Sequence, residues 1–128
     1  MGNTQFLLVN GSSDGFWKKK LEKALYELGS LEIMSYNNQD LEKAYDSRFG
    51  MIILDATVVE DIDKVVFSLR SRHPNCRIVV ITASPTWQRA RQAFEAGAID
   101  YLSKSLSLEE LRETFAQILN KPLPPWPR

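Results

Sequence analysis

The sequence has few of the residues that usually carry metal or covalent chemistry. Its 128 residues include one cysteine, Cys76, and one histidine, His73. A single cysteine excludes an internal disulfide and fits a reduced, cytoplasmic compartment, where it is expected to be a small buried residue. A single histidine excludes a metal site or a catalytic relay built from several histidines, so His73 is predicted to be a solvated turn residue.

Two further absences concern the partners of the protein. Sixteen basic residues balance sixteen acidic residues, and no apolar run is long enough to span a membrane. Without net positive charge, the chain has no general attraction for nucleic acid or for an anionic membrane. We therefore expect proteins or small ligands as partners, and no direct contact of this domain with membrane or nucleic acid.

The sequence is organised around an apolar run that ends in a carboxylate. Met51 to Leu54 are four consecutive apolar residues, and Asp55 follows them directly. A run without polar alternation is typical of a central parallel strand that is buried on both faces. An acid at its carboxyl end would lie at the sheet edge where ligands bind. The alternative is that Asp55 begins a loop or caps the next helix, since Asp is frequent at both positions.

Strand patterns and helix patterns alternate along the chain. Strands are predicted at 6–9, 31–36, 51–55, 77–82 and 99–103, and helices at 16–28, from 38 or 40 to 45, 58–72, 84–96 and 107–119. Gly29 and Gly97 are predicted to end helices, Ser84 with Pro85 to begin one, and Ser107 with Glu110 to form a capping box. The pattern predicts an α/β fold, a doubly wound sheet of five parallel strands with five helices.

One domain accounts for residues 1–120. Residues 121–128 contain four prolines and are predicted to be a proline-rich tail or linker stub. In a parallel sheet the carboxyl ends of the strands meet at one edge, so four polar positions are expected there: Asn10 with Gly11, Asp55, Thr82 and Lys104. Lys104 is expected to reach Asp55 and to form a neutral pair with it.

These residues resemble the receiver domain of two-component response regulators, the CheY-like family. The resemblance rests on Asp55, on Ile81-Thr82-Ala83, on the Ala96-Gly97-Ala98 turn and on the segment from Asp100 to Lys104, and it covers about residues 6–119. It implies a flavodoxin-like fold and a role in phosphorelay signal transduction in the cytoplasm. The expected function is to accept a phosphoryl group and to switch an output surface, without independent enzymatic activity.

The resemblance also implies a role for each matching residue. Asp55 would be the phosphoacceptor and Lys104 the cation that contacts the phosphoryl oxygens, while Thr82 would be the switch hydroxyl and Tyr101 the switch aromatic. The phosphodonor would be a sensor histidine kinase, a phosphotransfer protein or a small phosphorylated molecule. An output partner or a downstream domain would bind the face formed by the fourth predicted helix, the fifth strand and the fifth predicted helix.

The main departure from the family lies at the end of the first strand. Receivers usually carry there a pair of acids that hold Mg²⁺, whereas this chain has Asn10 and Gly11. The remaining candidate ligands are Asp55, the Asn10 amide oxygen and a backbone carbonyl near Thr57, and Mg²⁺ prefers anionic oxygens. Mg²⁺ binding is therefore predicted to be weakened or absent. Asp14 is more simply explained as a helix cap than as a replacement ligand.

Several other features have two interpretations. A pseudo-receiver that binds its partner without phosphorylation is the main alternative function, and a flavin or nucleotide binder that uses the loop from Gly11 to Gly15 is a weaker one. Trp87 and Phe94, on the fourth predicted helix, are predicted to be core residues, with an interface on that helix as the alternative. Arg89 and Arg91 are candidate partner contacts if that helix face is used. The Lys18-Lys19-Lys20 run is predicted to be a solvated face, with a basic patch for an acidic partner as the alternative.

Overall fold

A computed structural model of the chain describes residues 3–10, 15–35, 49–57 and 59–122. Its strands are β1 (Thr4–Asn10), β2 (Gly29–Ser35), β3 (Met51–Asp55), β4 (Arg77–Thr82) and β5 (Asp100–Ser103). Its helices are α1 (Gly15–Leu25), α2 (Ile62–Arg72), α3 (Trp87–Ala96) and α4 (Leu108–Asn120). The helix predicted between residues 38 and 45 and the tail beyond residue 122 lie outside the described residues. Helices α3 and α4 are therefore the fourth and fifth helices of the sequence prediction.

The five strands form one parallel sheet in the order β2-β1-β3-β4-β5. The chain first moves from β1 to β2 on one side and then to β3 on the other, so the direction of winding reverses between β1 and β3. This is the flavodoxin-like order, and the reversal leaves a crevice at the carboxyl ends of β1 and β3 where such folds bind ligands. The predicted α/β fold is confirmed.

Two apolar layers cover the two faces of the sheet. Side chains alternate along β1, so Phe6 and Leu8 belong to one layer, while Leu7 and Val9 belong to the other. Helices α1 and α4 contribute to the first layer, and α2 and α3 contribute to the second. Every residue of β3 is buried, which confirms that the run ending in Asp55 is a central strand.

Two helix ends confirm their sequence signals. Gly97 ends α3 with a φ of 117°, a left-handed conformation that glycine adopts without strain. Ser107 Oγ accepts a hydrogen bond from the Glu110 amide at 3.1 Å, and Glu110 Oε1 accepts one from the Ser107 amide at 3.1 Å. These hydrogen bonds, led by the one from the Ser107 amide, lower the pKa of Glu110 from its ordinary value. The capping box fixes the start of α4 just after β5.

Three predicted helix boundaries are wrong. Gly29 is the first residue of β2 rather than the end of α1, and a Cβ there would lie 1.8 Å from the Thr4 carbonyl oxygen. The position therefore needs glycine because β1 passes so close. Helix α3 begins at Trp87, after Ser84 and Pro85, because the Thr86 side chain accepts a hydrogen bond from the Arg89 amide and caps the helix there. Helix α2 begins at Ile62 rather than near residue 58.

Two predictions about burial are also wrong, and a further apolar side chain is exposed. Trp87 and Phe94 are 69% and 47% exposed, because they are seven residues apart on the solvent face of α3 while Ala93 is the buried contact. Phe16, on α1, is 82% exposed although it fits the apolar period. His73 is buried rather than solvated, and its carbonyl accepts the Cys76 amide at 3.0 Å in the turn before β4.

Cys76 is a buried thiol at the amino-terminal side of β4. Burial raises its pKa to about 12, so the thiol stays neutral and unreactive near neutral pH. This agrees with its predicted role as a small buried residue. In the described parts of the chain, none of the helices combines the length and the apolar character that crossing a membrane requires.

Candidate functional site

A buried ion pair lies at the carboxyl edge of the sheet. Asp55 ends β3 and Lys104 follows β5, with β4 between the two strands. The Lys104 amide donates to the Thr82 carbonyl at 2.9 Å, and its side chain reaches across to donate to Asp55 Oδ2 at 2.8 Å. The side chains are 9% exposed for Lys104 and 0% exposed for Asp55. The predicted neutral pair is therefore formed, and it is shielded from water.

The second oxygen of the Asp55 carboxylate is bonded to Thr57. Asp55 Oδ1 accepts the Thr57 amide at 3.1 Å and the Thr57 hydroxyl at 2.8 Å. The same hydroxyl oxygen accepts the Ala83 amide at 3.3 Å. Three donors therefore satisfy the carboxylate, and hydrogen bonds to an ionised group are stronger than neutral ones. Thr57 was considered only for its backbone carbonyl, so sequence reasoning missed the role of its hydroxyl.

Helix α1 holds Lys104 at two points. The Lys104 ammonium lies 4.7 Å from the centre of the Trp17 ring, a distance at which a cation is attracted to the ring face. The Lys20 ammonium donates to the carbonyls of Lys104 at 2.9 Å and of Leu106 at 2.8 Å. Lys20 is thus an internal contact rather than part of a solvated face. The sequence signal that could have predicted this contact was the three-residue spacing of Trp17 and Lys20, which places both on one side of the helix.

Arg89 connects α3 to the loop that follows Asp55. Its Nη2 atom donates to the carbonyls of Ala56 at 2.7 Å and of Val59 at 2.8 Å. These two carbonyls lie on either side of Thr57 in the chain. Arg89 was predicted to be a candidate partner contact, whereas the structure uses its guanidinium to fix the backbone beside the acid.

Thr82 and Tyr101, the predicted switch residues, both contact the loop between β4 and α3. Thr82 is buried at the end of β4, and its hydroxyl oxygen accepts the Ser84 amide at 3.2 Å. The Tyr101 hydroxyl oxygen accepts the Thr86 amide at 3.5 Å. Both residues therefore contact groups at the carboxyl edge of the sheet, and their roles as switch residues stay predictions.

The candidate magnesium ligands Asn10 and Asp55 lie at the ends of neighbouring strands. Asn10 ends β1, and Val9 before it pairs with Leu54, so Asn10 and Asp55 end neighbouring strands. Gly11 and Asp14 lie outside the described residues. Within the described ranges, no cluster of three or more His, Cys, Asp or Glu side chains could hold a metal. The Lys104 ammonium already supplies a cation to Asp55, whereas Mg²⁺ needs several oxygen ligands in an octahedral array.

The chain matches the family model of the response regulator receiver domain over residues 17–116. It is 30% identical over 114 residues to the photosynthetic apparatus regulatory protein RegA of Cereibacter sphaeroides, covering 87% of this chain and 61% of that protein. It is 28% identical over 82 residues to the transcriptional regulatory protein ZraR of Klebsiella oxytoca, covering 63% of this chain and 18% of that protein. The chain thus spans about a fifth of the length of ZraR.

A solved structure supports the same assignment at the level of the fold. The structure of a two-component response regulator from Clostridium difficile superimposes with a TM-score of 0.77 at 26% identity, covering 93% of this chain and 98% of that one. The family match spans most of the described sheet and reaches both members of the Asp55–Lys104 pair. The chain therefore belongs to the receiver domain family of two-component response regulators.

Proposed function

We propose that this receiver domain accepts a phosphoryl group on Asp55 and signals the change through the face formed by α3, β5 and α4. The observation that supports the proposal best is the Asp55–Lys104 pair, with an oxygen to nitrogen distance of 2.8 Å at the carboxyl edge of the sheet. It combines a nucleophilic carboxylate with a cation that can stabilise the charge of a transferred phosphoryl group.

The proposed step forms one bond and breaks one. An Asp55 carboxylate oxygen bonds to the phosphorus of acetyl phosphate, while the bond from phosphorus to the acetyl oxygen breaks and acetate leaves with the electron pair. No proton needs to move. With a protonated phosphohistidine as donor, the phosphorus–nitrogen bond breaks instead and neutral histidine leaves. Lys104 stays beside the new acyl phosphate and offsets part of its negative charge.

The domain is proposed to act with other proteins in the cytoplasm rather than as an independent enzyme. Response regulators work with histidine kinases and with output domains. The phosphodonor of this domain is proposed to be a sensor histidine kinase or a phosphotransfer protein, and the readout an output partner or a further domain. The reaction is proposed to depend weakly or not at all on Mg²⁺, since Asn10 and Gly11 replace the expected acids.

The test is acyl phosphate formation with acetyl phosphate, measured by intact mass with and without Mg²⁺. We expect one base-labile phosphoryl increment that is absent in Asp55→Asn. Asp61→Asn is the matched control, because Asp61 is an exposed aspartate in the same connection and should leave the increment unchanged. Failure of the wild-type protein to form the adduct, or an adduct that survives in Asp55→Asn, would contradict the proposal.

The second candidate function is a pseudo-receiver that binds a partner without phosphorylation. The observation in its favour is the 0% exposure of the Asp55 side chain, whose two oxygens already have three donors. The same mass measurement separates the two functions. The flavin or nucleotide binder depends on the loop from Gly11 to Gly15, of which residues 11–14 lie outside the described residues. It would require a bound chromophore or nucleotide in the purified protein.

A further inference from the structure

The side chain of Thr57 bridges the acid and a backbone donor. Its hydroxyl donates to Asp55 Oδ1 at 2.8 Å and accepts the Ala83 amide at 3.3 Å. Thr57 thereby joins the end of β3 to the segment after β4. A hydroxyl can make both bonds at once because it has one donor and two acceptor positions.

The burial of Asp55 means that a neighbouring group must move before the carboxylate can react. Its side chain is 0% exposed, so no phosphorus atom can approach either oxygen in this arrangement. Lys104 is a poor candidate for this movement, since its side chain is 9% exposed and its ammonium also lies on the Trp17 ring. Thr57 is partly exposed, and its hydroxyl leaves Asp55 by rotation about a single bond.

Arg89 restricts the movement to this side chain. It holds the carbonyls of Ala56 and Val59, at 2.7 Å and 2.8 Å, on both sides of Thr57. The backbone of the loop is therefore anchored while the Thr57 hydroxyl is free to change rotamer. Rotation would move the hydroxyl away from Asp55 Oδ1, which keeps the hydrogen bond from the Thr57 amide at 3.1 Å. It would also release the Ala83 amide, which becomes available to an incoming anion at the same edge.

We propose that the Thr57 hydroxyl is a latch on the phosphoacceptor: it closes the site by linking Asp55 to the Ala83 amide, and the site reacts when this side chain rotates away. The inference rests on the proposed phosphoacceptor function of Asp55. Thr57 is a positioning residue in this proposal, since it controls access to Asp55 and forms no bond to phosphorus. The latch slows reaction with small phosphodonors and leaves opening of the site to a partner that can displace the hydroxyl.

Three substitutions separate the hydroxyl from the volume of the side chain. Thr57→Ser keeps the hydroxyl, Thr57→Val keeps the branched shape without it, and Thr57→Ala removes both. We expect the rate of adduct formation with acetyl phosphate to rise about fivefold to tenfold in the Val and Ala variants, the factor for losing one net hydrogen bond. The Ser variant should stay within about twofold of wild type. Thermal unfolding of each variant checks that it is folded.

Hydrogen exchange of the Ala83 amide, followed by NMR, tests the latch without phosphorylation. Exchange should be faster in the Val and Ala variants and unchanged in the Ser variant, since only the hydroxyl accepts this amide. A Val variant with wild-type adduct rate, or with wild-type Ala83 exchange, would overturn the latch. Absence of an adduct in all four proteins would instead overturn the phosphoacceptor function, and the exchange data would still report whether the hydroxyl holds Ala83.

Discussion

The carboxyl ends of β3 and β5 differ sharply from the carboxyl end of β1. The first two place Asp55 and Lys104 in a buried pair with an oxygen to nitrogen distance of 2.8 Å, whereas β1 ends in the neutral amide Asn10. In a receiver with two further acids at β1, the same edge would carry a formal charge of −2. Among the described residues of this edge, one carboxylate and one ammonium sum to zero. Among the described residues, this edge therefore carries the strand-terminal acid and the lysine of the family pattern but no acid at the end of β1.

The ammonium of Lys104 contacts both a carboxylate and an aromatic ring of the protein. It is bonded to Asp55, it lies on the Trp17 ring, and the Lys104 backbone is fixed by Lys20. A buried charge is expensive to leave without compensation, and the ring face supplies part of the negative potential. Within the described residues, the Lys104 charge is thus compensated by groups of the protein itself.

The largest expected effect comes from breaking the pair at β5. Lys104→Met leaves the buried Asp55 carboxylate without its cation, so the free energy of unfolding should fall by about 3–5 kcal/mol. Lys121→Met is the control, because its pair with Asp100 is 3.8 Å long and its side chain is 51% exposed. That substitution should change stability by less than about 1 kcal/mol. Urea unfolding measures the free energy of unfolding of both variants. Equal losses of stability would show that burial does not distinguish the two ion pairs.

The next effect concerns the support that α1 gives to Lys104. Lys20→Met removes a charged donor from the carbonyls of Lys104 and Leu106, and should lower the free energy of unfolding by about 1–2 kcal/mol. Lys19→Met, at an exposed position in the same lysine run, should have almost no effect. Chemical denaturation of both variants measures the two changes in the free energy of unfolding. If the two losses were alike, the lysine run would be a solvated face as the sequence predicted.

A smaller effect should appear when the acid is restored at β1. Asn10→Asp places a second carboxylate on the strand next to Asp55, which favours Mg²⁺ binding. At a Mg²⁺ concentration ten times the dissociation constant, the thermal stability should rise by about 1.4 kcal/mol, while the wild-type protein should respond little. Asn120→Asp adds the same charge at the end of α4 and should give no Mg²⁺ response. A wild-type protein that Mg²⁺ stabilised as strongly as Asn10→Asp would contradict the contrast between the end of β1 and the ends of β3 and β5.

The smallest expected effect is the coupling between Trp17 and Lys104. A double-mutant cycle with Trp17→Leu and Lys104→Met should give a coupling energy of about 0.5–2 kcal/mol, the range from an exposed to a desolvated cation on an aromatic face. Trp17→Phe keeps a ring and should retain most of the coupling. Additive losses in the Leu cycle would mean that Trp17 contributes by packing alone.

Local patterns identified the parts of the molecule that depend on neighbours in sequence. The unbroken apolar run predicted that β3 is buried on both faces, and the Ser107 capping box and Gly97 predicted two helix ends. The strand order predicted that Asp55 and Lys104 meet, because the carboxyl ends of parallel strands lie at one edge. These predictions hold because burial, capping and handed crossovers restrict the chain to few arrangements.

Only the tertiary structure decided which side chains surround the pair. Trp17, Lys20, Thr57 and Arg89 reach the site from helices and loops whose positions depend on how the whole sheet is covered, and no spacing in the sequence states which carbonyl or carboxylate each one meets. The exposure of Trp87 and Phe94 was decided in the same way, because the alanine face of α3 packs toward the sheet and leaves these two aromatic side chains on the opposite, solvent side. The sequence by itself determined the strand, the acid and the lysine. Packing determined which side chains cover the Asp55 carboxylate, because contacts between residues far apart in the sequence depend on how the helices and strands pack together.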